Sequence, residues 1–245
     1  MIEKHVEIRT AAGAMDTFIV HPERGGPFPV ILFFMDAPGI REELRDMARR
    51  FATSGYYVML PNMYYRSGVT ELGPLPADPE APARKRMYEL MDSLTIPLVM
   101  DDAAVLLSFA EGDPAAKASS TGAVGYCMSG RYAVNAAARF PSQVRAAASI
   151  YGVRLVMEEP DSPHVVCARS KAELYFACAE TDRWMPAEQI DVLKKSLAGQ
   201  KVKAEVEIFP GTEHGFAFPQ RPVYHKAAAE RHWERLNALF RRNLG

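Results

Sequence analysis

The chain has 245 residues, 48% of them hydrophobic and 24% charged, with a net charge of −1. That length can bury a large core, and the charge balance offers no basic face for nucleic acid. The opening MIEKHVEIRT lacks the basic-then-apolar layout of a secretory leader, and no apolar run approaches the roughly 18 residues of a membrane span. No membrane partner is therefore expected.

In chain order, HVEIRT and DTFIVHP alternate apolar and polar residues around Ala11-Ala12-Gly13 and predict an opening hairpin. FPVILFF is a continuous apolar run, the mark of a strand buried on both faces. REELRDMARRFATSG follows, with Leu44, Met47, Ala48 and Phe51 at helical spacing and Gly55 as its stop. YYVMLP predicts the next strand. Residues 62–95 hold four prolines and little periodicity, which predicts a long excursion covering a pocket. TGAVGY is a second buried strand, followed by an alanine-rich helix. VRAAASIYG and AELYFACAETD read as further strands. PAEQIDVLKKSLAG predicts a helix opened by Pro186, VKAEVEIFPG the last strand, and residues 223–243 a closing helix with Trp233, Leu236, Leu239 and Phe240 as its stripe. The alternation predicts one α/β domain over 1–245, a mostly parallel sheet covered on both faces, with ligands at the carboxyl ends of its strands.

Three cysteines, Cys127, Cys167 and Cys178, make an odd and sparse set. Such a count suits free thiols in a reducing compartment rather than a disulfide framework. A cytoplasmic protein is expected, and nothing in the sequence demands more than a monomer.

Cys127 lies where a strand runs into a helix, in Gly125-Tyr126-Cys127-Met128-Ser129-Gly130. A nucleophile elbow needs small residues two positions before and after the nucleophile, because strand and helix backbones converge there. Gly125 meets the first demand; Ser129 meets the second approximately. A thiol nucleophile needs a base. Of six histidines, only His214 sits just past a late strand. His225 and His232 share the last helix without a third ligand, so neither a metal nor any other cofactor is expected. An acid should orient the histidine; Asp182, at the end of LYFACAETD, fits best, with Glu180 and Glu213 as competitors and a helix cap as its plainer role. The order nucleophile, acid, histidine is that of α/β-hydrolases.

GYCMSG resembles the GYCxGG elbow of the dienelactone hydrolases (carboxymethylenebutenolidases), a cysteine branch of the α/β-hydrolase superfamily, and AETDRWMP and HGFAFP resemble that family's acid and histidine segments. The similarity runs from PVILFFMD to the final helix. It implies an α/β-hydrolase fold, a triad of Cys127, Asp182 and His214, independence of metals, and hydrolysis of the cyclic enol ester dienelactone to maleylacetate in aromatic catabolism. It further implies that Asp36, where the family has a glutamate, controls ionisation of the resting thiol. Backbone N–H groups of Ala37 and Met128 would form the oxyanion hole, where losing one donor typically costs about 3 kcal/mol of barrier. Of the family's two substrate-carboxylate arginines, one matches Arg84. The other falls on Phe218, with Arg221 three residues further along a different loop path. That departure leaves acyl hydrolysis intact but opens the site to neutral acyl or alcohol portions, and Tyr151 would line the pocket. A small-molecule ester or lactone is the expected partner. The alternatives are a general carboxylesterase or thioesterase on the same scaffold, and a thiol redox or ligand-binding protein in which Cys178 pairs with Cys127.

Overall fold

A computed structural model describes residues 1–76 and 78–245. Eight strands form one sheet in the order β1-β2-β4-β3-β5-β6-β7-β8. The hairpin β1 (Ile2–Thr10) and β2 (Gly13–His21) is antiparallel and joins the sheet through β4 (Tyr57–Pro61). From β4 onward the pairing is parallel, through β3 (Phe28–Phe34), β5 (Ala116–Tyr126), β6 (Val144–Ile150), β7 (Glu173–Thr181) and β8 (Ala204–Glu213). The apolar run of β3 lies at the sheet centre, where both faces are covered and alternation would expose nothing to water.

On one face lie α1 (Glu42–Thr53) and α7 (Lys226–Leu244), which meet through Phe51 and Trp233, ring centroids 4.7 Å apart. Here α7 presses on β5: a Cβ on Gly122 would lie 2.7 Å from the Phe240 ring. The other face carries α3 (Ile96–Gly112) and α4 (Gly130–Arg139). Short α5 (Pro163–Val166) bridges α4 to α6 (Ala187–Ala198). The predicted strands and amphipathic helices appear within a few residues of their expected ends. The helix α3 has no counterpart among the elements expected from sequence. Its stretch IPLVMDDAAVLLSFA is apolar nearly all round, so no stripe marks it, although Thr95 caps it by accepting the Leu98 N–H.

The excursion after β4 has more structure than its composition predicts. It carries a short 3-10 turn at Tyr65–Ser67 and then α2 (Pro82–Ser93), which turns Met87, Leu90 and Met91 inward. Its first part bridges to the loop after β3: the Ile40 N–H bonds the Thr70 carbonyl, and the Leu72 N–H the Pro38 carbonyl. Gly39 sits at φ 91°, and a Cβ there would lie 2.3 Å from the Thr70 oxygen, so the crossing needs glycine. Further on, Tyr88 of α2 packs against Trp184, and Asp92 pairs with Arg154 at 2.6 Å. No single helix among the described residues is long and apolar enough to cross a membrane.

Candidate active site

The carboxyl ends of the parallel strands converge on one edge. Asp36 and Ala37 follow β3, Tyr64 follows β4, Cys127 follows β5, Tyr151 follows β6, Asp182 follows β7 and His214 follows β8. Every residue named from the strand-end argument is therefore on the same rim.

Cys127 adopts φ 56°, the left-handed region that non-glycine residues enter at a cost. The reason is the turn: the chain leaves β5 and enters α4 within three residues. A Cβ on Gly125 would lie 2.0 Å from the Ser129 carbonyl oxygen, so no other residue fits there. The second close approach belongs to Gly130 rather than Ser129. A Cβ on Gly130 would reach Ser149 Oγ at 2.2 Å and Gly152 Cα at 2.7 Å. Ser129 has another task, with its buried hydroxyl donating to the Met35 carbonyl and tying the elbow to the end of β3. Tyr151 (φ 36°) and Arg154 (φ 54°) are the other non-glycine residues with left-handed backbone among those described, and both line the rim after β6.

His214 Nδ1 lies 2.7 Å from Asp182 Oδ2. The other carboxylate oxygen, Oδ1, accepts the Trp184 N–H at 2.8 Å. Asp182 thus both orients the histidine and caps the turn before α6, so the two roles weighed for it coexist. A carboxylate can only accept, so Nδ1 carries the proton and Nε2 is left for the thiol side. Nε2 is buried without a hydrogen-bond partner among the described residues. Burial alone would disfavour the imidazolium, but the charge of Cys127 and the Asp182 bond outweigh it and push the His214 pKa up to about 9. Glu180 instead accepts the Gly211 N–H. Cys178 and Cys167 are buried free thiols, pushed up chiefly by burial to about 12 and about 11 respectively, which makes them poor thiolates.

The loop after β3 carries a dense set of charges. Asp36 is fully buried. Its Oδ1 accepts Arg41 Nη1 at 2.6 Å, and its Oδ2 accepts Arg221 Nη2 at 2.6 Å and Arg41 Nη2 at 3.2 Å. Arg41 also donates to Glu43. Burial works against both guanidiniums, and the Asp36 charge outweighs it, so both stay more firmly protonated than usual. Arg221 arrives by the different loop path: turns from Gly215 to Phe218 and from Phe218 to Arg221 fold its side chain back over Gly215, beside His214. Phe218 is fully buried and is a platform rather than pocket lining, with both guanidiniums 5.0 Å from its ring centroid. Arg84 stands apart in the first turn of α2, spending Nε on the Pro76 carbonyl at 2.7 Å.

Two contributors went unrecognised in the sequence. Arg41 lay inside a helix start and read as its boundary. Tyr64 lay in the proline-rich excursion; its buried hydroxyl donates to the Ala37 carbonyl at 2.9 Å and touches Met128 Sδ at 3.3 Å. It ties together the two residues whose N–H groups are candidates for the oxyanion hole. Its place directly after a buried strand was the available signal. Tyr151 packs edge-on to His214, centroids 5.1 Å apart, and its buried hydroxyl has no partner among the described residues. Burial holds that phenol protonated, so it remains a donor.

The sheet order and the strand-end rim define an α/β-hydrolase. The dienelactone hydrolase family model matches residues 15–244, and the chain belongs to that family. It is a hydrolase acting on esters or lactones. A Methylorubrum extorquens protein named "Putative carboxymethylenebutenolidase" is 29% identical over 98% of this chain and 81% of its own length. A Klebsiella pneumoniae structure titled "Putative Dienelactone Hydrolase" superposes with a TM-score of 0.87 at 24% identity, covering 98% of both chains. A dienelactone hydrolase-like promiscuous phosphotriesterase from metagenomic libraries gives a TM-score of 0.80 at 19% identity, covering 100% of this chain and 99% of its own.

Proposed function

We propose that this hydrolase cleaves a lactone or activated ester by covalent catalysis at Cys127. The thiolate attacks the carbonyl carbon, forming the C–S bond. The N–H groups of Ala37 and Met128 receive the charge that develops on the carbonyl oxygen. As the C–O bond breaks, the His214 imidazolium gives its Nε2 proton to the departing oxygen. The acyl-enzyme is then hydrolysed: neutral His214 takes a proton from water, the hydroxide attacks, and the thiolate leaves. Asp182 keeps Nδ1 protonated and supports the cation throughout.

The observation that carries this reading is the conjunction at one rim: Cys127 on a left-handed elbow, and a histidine whose Nδ1 is bonded at 2.7 Å to a buried carboxylate. The charge of Cys127 favours the imidazolium form of His214.

On the substrate side, Arg221 supplies a guanidinium beside the thiol, which favours an ester or lactone bearing a carboxylate. Dienelactone, giving maleylacetate, has that chemistry. In this reading Arg221 fills the place that Phe218 leaves, the Tyr151 hydroxyl donates to the bound substrate, and Arg84 is the second arginine for the carboxylate. Asp36 acts on the thiol through Arg221, whose position it sets.

The test is hydrolysis of dienelactone beside p-nitrophenyl acetate, with Cys127→Ala and His214→Ala as controls. Faster turnover of dienelactone, with both controls inactive, is the expected result. Turnover of the neutral ester alone would replace the substrate assignment with a general carboxylesterase. Turnover that survives Cys127→Ala would contradict the thiol mechanism.

A further inference from the structure

The two guanidiniums on Asp36 are not equivalent. An arginine has five N–H donors. Arg41 commits all of them inside the protein: Nε and Nη2 to Glu43 Oε2, Nη1 to Asp36 Oδ1 and the Gly39 carbonyl, and Nη2 again to Asp36 Oδ2. Glu43 is itself fixed, its Oε1 accepting the Gln220 N–H at 3.0 Å. Arg221, by contrast, commits only Nη2 to a hydrogen bond among the described residues. Its side chain is 26% exposed against 13% for Arg41. One guanidinium is locked and the other is half-free over Gly215, beside His214.

We infer that Arg41 is a positioning residue that sets the enzyme's preference for anionic substrates by keeping Asp36 neutralised when Arg221 turns to a substrate carboxylate. A fully buried aspartate cannot be left uncompensated. If Arg221 were its only partner, the aspartate would compete with the substrate for that guanidinium. Arg41, holding both carboxylate oxygens, removes the competition. Glu43 holds Arg41 in place and ties the Arg221 loop to α1 through the Gln220 N–H, so Arg41 stays on Asp36 while Arg221 changes partner. The inference rests on the proposed hydrolysis only for its substrate, and its test is built to separate the two.

The experiment compares two esters with one leaving group and acyl chains of equal length: mono-p-nitrophenyl succinate, which carries a carboxylate, and p-nitrophenyl butyrate, which does not. Wild type should prefer the succinyl ester. Arg41→Gln should raise KM for the succinyl ester about tenfold, the scale of one lost charge-assisted contact, with kcat and the butyrate constants within about twofold. Arg41→Lys keeps the charge but not the fork and should still raise KM severalfold. Asp36→Asn/Arg41→Gln removes the competing carboxylate as well and should restore the succinyl preference.

A uniform loss on both esters, a wild-type KM in Arg41→Lys, or no restoration in the double variant would each overturn the inference. Should Arg41→Gln not fold, Arg41→Lys alone decides: it must raise KM for the succinyl ester severalfold while the butyrate constants hold, and a wild-type KM overturns the role. Wild type that cleaves neither ester contradicts the hydrolase reading. Calorimetric binding of succinate to the same variants then decides the role of Arg41: weaker binding in Arg41→Gln with recovery in the double variant upholds it, and equal binding throughout overturns it.

Discussion

On the elbow side of the site backbone meets backbone, while on the Asp36 side charge meets charge. Gly125 and Gly130 sit where a single added carbon would fall 2.0–2.7 Å from neighbouring atoms. The thiol is placed by packing, which is short-ranged and unforgiving. Asp36, Arg41, Glu43 and Arg221 are placed by hydrogen-bonded ion pairs in a buried pocket. Such pairs are strong when matched and costly when broken, yet can exchange partners without moving the backbone. Under the proposed function, the packed wall fixes the reacting atom and the charged wall holds the recognition group that must be able to let go.

The largest expected effects fall on the packed wall and its histidine. Cys127→Ala and His214→Ala should each abolish measurable turnover, and Asp182→Asn should cut kcat on the order of 10⁴-fold by releasing the histidine tautomer; steady-state kinetics checks all three. Gly125→Ala should destabilise the protein by at least about 3 kcal/mol, because a Cβ there overlaps a carbonyl that cannot retreat. Urea denaturation reads this, and wild-type stability in that variant would mean the elbow is pliable.

The histidine also carries a pH signature. Its folded pKa, about 9, lies above the ordinary 6.5. A raised pKa means that the folded state holds the proton more tightly. The stabilisation it brings is therefore full below pH 6.5 and is lost as pH rises through about 9. The urea midpoint of wild type should fall across that window relative to His214→Gln, and parallel curves would contradict the ion pair. The smallest effect should come from Tyr64→Phe, which frees the Ala37 carbonyl from its 2.9 Å bond. A kcat about fivefold lower, from roughly 1 kcal/mol of lost positioning, with KM unchanged, would assign Tyr64 to the oxyanion loop; a change in KM alone would not.

The packed wall was the more legible in sequence, and physics explains why. An elbow, a strand-end acid and a late-strand histidine each leave a local mark: a small residue where backbones converge, a carboxylate at a strand terminus, a histidine after the last apolar run. The order of Cys127, Asp182 and His214 then follows from chain topology. The charged wall is assembled from residues far apart. Arg41 and Arg221 are separated by most of the chain, and that they share Asp36 shows only once β3 and the histidine loop are in place. The burial of Phe218 under the two guanidiniums is hidden for the same reason, since counting residues past His214 assumes a loop path that two tight turns alter. The helix α3 stayed hidden because burial on several faces erases the period that marks a helix.

Whether the thiol itself carries the acyl group is read by rapid-quench mass spectrometry of wild type with p-nitrophenyl acetate. Covalent catalysis at Cys127 requires an acetyl group on the peptide containing that residue, formed in a burst matching the enzyme concentration and decaying as turnover proceeds. Steady turnover with no adduct, or an adduct confined to Cys167 or Cys178, would contradict it.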